Sequence, residues 1–244
     1  MFFAIFVFGL IAVHVAAKIP SYINVCGRRD PNINQCILDN INNLKSKICE
    51  GLPDLDIPPN DPFIIDKIVI SDTPNIKLYI RNAQISGLCD FTIKSLHADI
   101  DNLNYDVDLL FHEIRGNTTS DFNISLLSTP IAYKGQLYIV ANNIEAKVHL
   151  DFKIVTNNGK RYTYLAKMKL NLIINDHDVQ YNIADEKQTT QLIEIVQNFV
   201  GNNIKEIIEV FKPSLEEIVI KRIISLANDI VKHFTYEELF PERS

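Results

Sequence analysis

The side chains able to do chemistry are thinly spread in this chain. Beyond the N-terminal apolar run the histidines are His97, His112, His149, His177 and His233, and none belongs to a helical zinc motif. His149 shares the polar face of a strand pattern with Lys147 and Asp151, and Asp176-His177-Asp178 reads as a turn between strands. No Gly-x-Ser-x-Gly elbow is present, since Ser86-Gly87 stands only as a turn. The chain's 8 glycines form no phosphate-cradling loop. Carboxylates for glycoside chemistry leave no local signature, and nothing positive points to them. The expectation is a protein with no catalytic residue, no metal and no cofactor.

Two residue types say more. The sequence holds 4 cysteines, which allow three pairings. They lack CxxC spacing and a nearby histidine, which argues against zinc. Cys26 and Cys36 flank the polar loop Gly27-Arg28-Arg29-Asp30-Pro31-Asn32 and are the natural first pair; Cys49 and Cys89 then form a second bridge or remain buried thiols. The tyrosines Tyr105, Tyr162 and Tyr164 fall on the apolar side of alternating segments, and Tyr133 and Tyr138 precede an expected turn at Ala141–Asn143. A buried phenol needs a partner. Its hydroxyl reaches the rim or a backbone carbonyl, or it fixes the polar end of an otherwise apolar ligand.

The elements that would position these groups are long strands. Ile76, Leu78 and Ile80 alternate with polar residues, as do Leu103, Tyr105, Val107, Leu109 and Phe111. Ile144, Ala146, Val148, Leu150, Phe152 and Ile154 alternate with charged neighbours. A turn at Asn157-Asn158-Gly159-Lys160 leads into Tyr162, Tyr164, Ala166, Met168, Leu170, Leu172 and Ile174. Period-two alternation over ten or so residues predicts antiparallel strands with one dry face and strong curvature. Two sequons, at Asn117 and Asn123, sit around an expected turn over Arg115–Asp121, where glycosylation would be tolerated.

The dry face needs a cover. From Gln191 to Pro241 apolar residues recur at helical spacing, including Ile204, Ile207, Ile208, Phe211, Leu215, Ile218, Val219, Ile223, Leu226 and Ile230. The stripe is wide enough to be contacted from more than one side. Pro213 predicts a kink or break near Phe211-Lys212. Near the N-terminus, Ile33, Ile37, Ile41, Leu44 and Ile48 form a narrower stripe that Gly51 and Pro53 end. The proline-rich Leu52–Pro62 segment is an extended connector. The apolar run from Met1 to Val13, followed by Val15-Ala16-Ala17, reads as a secretory signal peptide over residues 1–17. The expected fold class is α+β: a long, highly curved antiparallel sheet wrapped around a long C-terminal helix, with a short N-terminal amphipathic helix.

Several stretches together resemble the insect takeout and juvenile-hormone-binding proteins. They are Pro20, Ile23, Cys26 and Cys36-Ile37-Leu38; Gly51-Leu52-Pro53-Asp54-Leu55-Asp56-Ile57-Pro58 and Asp61-Pro62; and Asn82 to Leu88. Tyr133-Lys134-Gly135-Gln136-Leu137, Asn202 to Ile207, Lys212-Pro213-Ser214-Leu215 and Tyr236 to Pro241 follow in order. The resemblance implies one domain over residues 18–244, an elongated apolar tunnel, and a secreted carrier of a terpenoid such as juvenile hormone or of a fatty-acyl lipid. It also maps a loop-closing disulfide onto Cys26 and Cys36. The chain departs from the family in having no glycine in Ala141–Ala146, and in Cys49 and Cys89.

Residues expected to line the tunnel are Tyr105, Val107, Leu109, Tyr133, Tyr138, Val148, Leu150, Phe152, Tyr164 and Met168 from strands, with Phe211 and Leu215 from the helix. The expected partners are a small hydrophobic ligand and, for such a carrier, a cell-surface receptor. With a net charge of −6 and no basic cluster, nucleic acid is not expected, and with no later run of about 20 apolar residues neither is stable membrane insertion; the chain is expected to be an extracellular monomer, in haemolymph or a similar fluid. Two rival readings are a secreted signalling or structural protein whose core fills itself, and a membrane-lipid binder.

Overall fold

Two strands far longer than the usual five or six residues or so carry the sheet. In the computed structural model, which describes residues 19–74, 76–126, 129–175, 179–184, 194, 197–198 and 201–243, α1 (Ile33–Glu50) is followed by a 3-10 turn (Pro53–Leu55). The strands are β1 (Phe63–Asp72), β2 (Ile76–Ser86), β3 (Phe91–Asp99), β4 (Asn104–Leu126), β5 (Thr129–Asn157), β6 (Lys160–Ile173) and β7 (Val179–Ala184). Helices α2 (Ile204–Val231) and α3 (Tyr236–Leu239) close the chain. The expected signal peptide and the Asp176–Asp178 turn lie outside the described residues.

Strand β4 pairs with β5 from end to end, from Asn104 opposite Asp151 to Leu126 opposite Thr129, and β5 runs on past it to Asn157. The remaining strands add to this hairpin in pieces. β2 and β3 bond to different halves of β4, β6 and β7 to different halves of β5, and β1 extends β2. A flat strand of 29 residues would reach roughly 95 Å, so the sheet curls around the long helix instead. Register shifts between Val69 and Ser71, Arg81 and Gln84, Ile93 and Ser95, and Asp151 and Phe152 supply local twist. At the second of these the Thr118 hydroxyl donates to the Arg81 carbonyl at 2.9 Å, which gives that carbonyl a partner where the ladder is disrupted.

Two expected turns are absent. Arg115–Asp121 lies inside β4 and Ala141–Asn143 inside β5. Asn143 takes φ 52°, a conformation asparagine tolerates, so the strand bends there without ending. The Asn158-Gly159 turn between β5 and β6 does form, with φ 50° and 75° at its two central residues. The faces of β6 also depart from simple alternation. The shift opposite Asp151 and Phe152 turns Thr163 and Leu165 inward and leaves Tyr164 39% exposed. One bulge moves every residue beyond it to the other face.

The long helix is shorter than its apolar pattern and is not broken by Pro213. It runs unbroken through that proline, which is exposed together with Glu209, so the carbonyl deprived of its donor sits on the wet side. At about 1.5 Å per residue, its 28 residues span roughly 42 Å. It ends at Lys232, and Thr235 starts α3 through a capping box with Glu238. Between the two helices Phe234 turns fully inside, against Leu52, Leu55 and Ile57. Burying a side chain of that size contributes about 2–3 kcal/mol.

Helix α2 crosses the dry face of the sheet. Phe211, Leu215 and Ile218 pack on Ile65, Ile68, Ile80 and Ala83. Leu215 also touches a cluster of Ala141, Ile144, Ala146 and Leu172. At the other end Leu226 and Ile230 join the cluster around Phe234. Solid core therefore occupies both ends of the helix.

Candidate functional site

Between those two packed ends the interior is hollow. A cavity of about 630 Å³ opens over the C-terminal half of α2, where Val219, Ile223 and Leu226 form one wall with Val231. The concave face of the sheet forms the second, with Phe63, Phe91, Leu96, Leu103, Tyr105, Val107, Leu109, Phe111, Leu150 and Phe152. Helix α1 forms the third through Ile37, Ile41, Leu44 and Ile48. The stripe that ends α1's solvent-facing pattern thus faces space rather than packed core, and no α1 residue is fully buried.

Aromatic pairs shape the sheet wall. The rings of Tyr105 and Phe152 meet edge to face at 5.5 Å, and those of Phe91 and Phe111 are tilted at 5.8 Å. Both pairs bridge strands that diagonal or opposed registry brings within reach. Burial pushes the Tyr105 hydroxyl's pKa up, and nearby Tyr236 adds to the effect.

Disulfides fasten α1 over the opening. Cys26 is bonded to Cys36 and Cys49 to Cys89, and Cys26, Cys49 and Cys89 all line the cavity. Gly51 ends α1 at φ 96°, where a Cβ would lie 2.9 Å from the Ile57 carbonyl oxygen, so the chain can turn into its connector only with glycine.

Among the residues expected to line a tunnel, Tyr105, Val107, Leu109, Leu150 and Phe152 line this cavity. Val148, Phe211 and Leu215 instead pack in the solid clusters, and Met168 is buried outside the lining. Phe211 and Leu215 lie one to two turns too early on α2 to reach the hollow. Tyr138 and Tyr164 are 42% and 39% exposed, on the outer side of the sheet. The side chain of Tyr133 lies outside the described residues. Of the sequons, Asn117 is an exposed residue within β4, and the Asn123 side chain lies outside the described residues.

The polar groups of the lining escaped the sequence reading. Arg222 Nη2 donates to Asn60 Oδ1 at 2.7 Å, and the Asn60 amide donates to the carbonyls of Ile48 and Pro58. Lys45 Nζ donates to the Phe91 carbonyl at 3.2 Å and sits 5.5 Å from that ring's centre. A usable signal existed: Arg222 interrupts the apolar series Val219, Ile223, Leu226 on the inward stripe of α2. Among the described residues no group of His, Cys, Asp and Glu side chains is placed to hold a metal ion, and no helix is long and apolar enough to cross a membrane. His149 pairs with Asp106 at 2.7 Å on the exposed face of the sheet.

Comparison with known proteins agrees with this architecture. The crystal structure of Takeout 1 from Epiphyas postvittana superposes with a TM-score of 0.74 at 17% identity, covering 90% of this chain and 100% of that one, a likeness of fold. A lipopolysaccharide binding protein aligns at 9% identity over 77% of this chain and 36% of its own, with a TM-score of only 0.38. No curated protein sequence matches the chain. The family model described as haemolymph juvenile hormone binding protein matches residues 2–241, nearly the whole length. The chain belongs to the haemolymph juvenile hormone binding protein family.

Proposed function

We propose that this protein is a secreted, non-enzymatic carrier that encloses one small hydrophobic ligand between α1, the curled sheet and α2. The observation that carries the reading is the hollow itself: about 630 Å³, walled by aliphatic and aromatic side chains. Ligand sites typically exceed about 300 Å³, whereas a self-filled core leaves few voids larger than a water molecule. The family membership supports the same class of ligand, a terpenoid such as juvenile hormone or a fatty-acyl lipid. Tyr105, Val107, Leu109, Leu150 and Phe152 are the strand residues that would touch it. Two disulfides fit an oxidising, extracellular setting, and residues 1–17 fit a leader that directs the chain there. Asn117, exposed within its sequon, is open to glycosylation on that route.

The test is extraction of the purified native protein into organic solvent, with mass spectrometry of what is released. A stoichiometric apolar compound is expected. Empty extracts, together with no uptake of a neutral fluorescent probe such as N-phenyl-1-naphthylamine, would leave the self-filled reading. Flotation with vesicles rather than uptake of single molecules would favour a membrane-lipid binder.

A further inference from the structure

Among the described residues the charges in the cavity wall are all of one sign. The chain carries 30 acidic against 24 basic residues, yet among the described residues the lining includes Lys45 and Arg222 and neither Asp nor Glu. Arg222 is held in place by a neutral acceptor, Asn60 Oδ1 at 2.7 Å, and its Nε is buried with no hydrogen-bond partner. Among the described residues no carboxylate lies within ion-pair distance of it. Asp229, whose carboxyl feels the guanidinium from further off, is an exposed side chain paired with Lys232 at 2.8 Å. Lys45 likewise bonds a backbone carbonyl and faces a ring, and among the described residues it makes no ion pair.

The two cations share one end of α1. Lys45 lies within a turn of Ile48, whose carbonyl accepts from the Asn60 side chain that holds Arg222; the Asn60 N–H bonds the Cys49 carbonyl at 3.0 Å. A cation desolvated in an apolar wall without a counter-charge is unfavourable, and it is relieved by an anion that brings its own hydrogen-bond acceptors. A guanidinium meets a carboxylate with matched geometry and charge. A neutral ester or alcohol offers an acceptor but cancels no charge.

Resting on the carrier reading above, we infer that the ligand is an amphipathic anion, a long-chain carboxylic acid whose carboxylate sits against Arg222 and Lys45 while its tail fills the space lined by Tyr105, Leu109, Leu150 and Phe152. The preference is for the acid over its own ester.

Displacement of N-phenyl-1-naphthylamine by palmitate, methyl palmitate and hexadecanol separates the two ideas. Palmitate is expected to bind about 10-fold to 100-fold more tightly than methyl palmitate, the range for a charge-assisted contact. Arg222→Met should remove most of that ratio by weakening palmitate far more than methyl palmitate, and Arg222→Lys should restore part of it. Equal affinities for acid and ester in the native protein, or equal losses for both in Arg222→Met, would overturn the inference and leave the carrier reading intact. No binding of the probe or of any of the three compounds would sink both. Should Arg222→Met not fold, as judged by circular dichroism, Lys45→Met gives the same acid-to-ester readout, with an expected fall of about threefold to tenfold.

Discussion

The side-chain amide of Asn228 on α2 bonds both backbone polar groups of Leu165 on β6, accepting from its N–H at 2.7 Å and donating to its carbonyl at 3.2 Å. Glu216 repeats half of this arrangement, accepting from the Leu172 N–H at 2.7 Å. Among the described residues strand β6 pairs with β5 on one side only, so its outer edge would otherwise present unpaired groups. The helix therefore does more than cover the sheet: its side chains stand in for the next strand.

Asn228→Leu keeps similar bulk and strands both groups of Leu165, a residue 2% exposed. The expected loss is about 2–4 kcal/mol, one to two unsatisfied buried groups, read as a fall in the urea midpoint at unchanged slope. An unchanged midpoint would mean that the helix–edge contact contributes nothing net.

This contact marks where the sequence stops being informative. The alternation of Ile144 to Phe152 and the helical spacing of Ile204 to Ile230 each require one dry face, and together they require a sheet curled on a helix. Neither pattern says which face survives a bulge, so Tyr164 reads as inward when the shift at Asp151 and Phe152 turns it out. Nor can Asn142-Asn143 be told from a turn by composition, because β5, paired with β4 both before and after Asn143, holds a left-handed asparagine that a lone segment would use to reverse. The cavity is harder still. Ile41 facing a hollow and Phe211 facing packed core carry the same periodic signature. Only Arg222, a cation on an apolar stripe, differed in kind.

Raising the pH should weaken the fold through Tyr105. Its hydroxyl ionises near 10.0 in the unfolded chain and higher in the folded one, because burial disfavours the phenolate. Between those values the folded state holds the proton and the unfolded state has lost it, so stability is intact below pH 10 and falls above it, by up to about 1.4 kcal/mol per pH unit. Urea midpoints at pH 8 and pH 11 should diverge less for Tyr105→Phe than for the native protein. Identical divergence would place the tyrosine in contact with bulk water.

The disulfides should differ in weight. Cys26 and Cys36 are separated by 10 residues and Cys49 and Cys89 by 40, so loop-closure entropy assigns them about 3 and about 4 kcal/mol. The longer one also ties the end of α1 to the β2–β3 connection, and α1 has no fully buried residue to hold it otherwise. Cys49→Ala with Cys89→Ala should lower the thermal midpoint more than Cys26→Ala with Cys36→Ala, and should also weaken uptake of N-phenyl-1-naphthylamine. Equal probe affinity in both double variants would show that α1 stays seated without the bridge.

Filling the hollow and hollowing the core should have opposite signatures. Leu150 faces the cavity across from Tyr105, where a larger side chain has space to enter. Leu150→Trp is expected to reduce probe affinity at least about 10-fold at a stability cost within the 1–3 kcal/mol or so typical of overpacking. Phe211 lies in the packed cluster of Ile65, Ile68 and Ile80, so Phe211→Ala should cost about 2–4 kcal/mol through the void it leaves. Its probe affinity, measured where the protein is folded, should hardly change. Reversal of the two outcomes would move the binding site one to two turns along α2, onto the residues around Leu215.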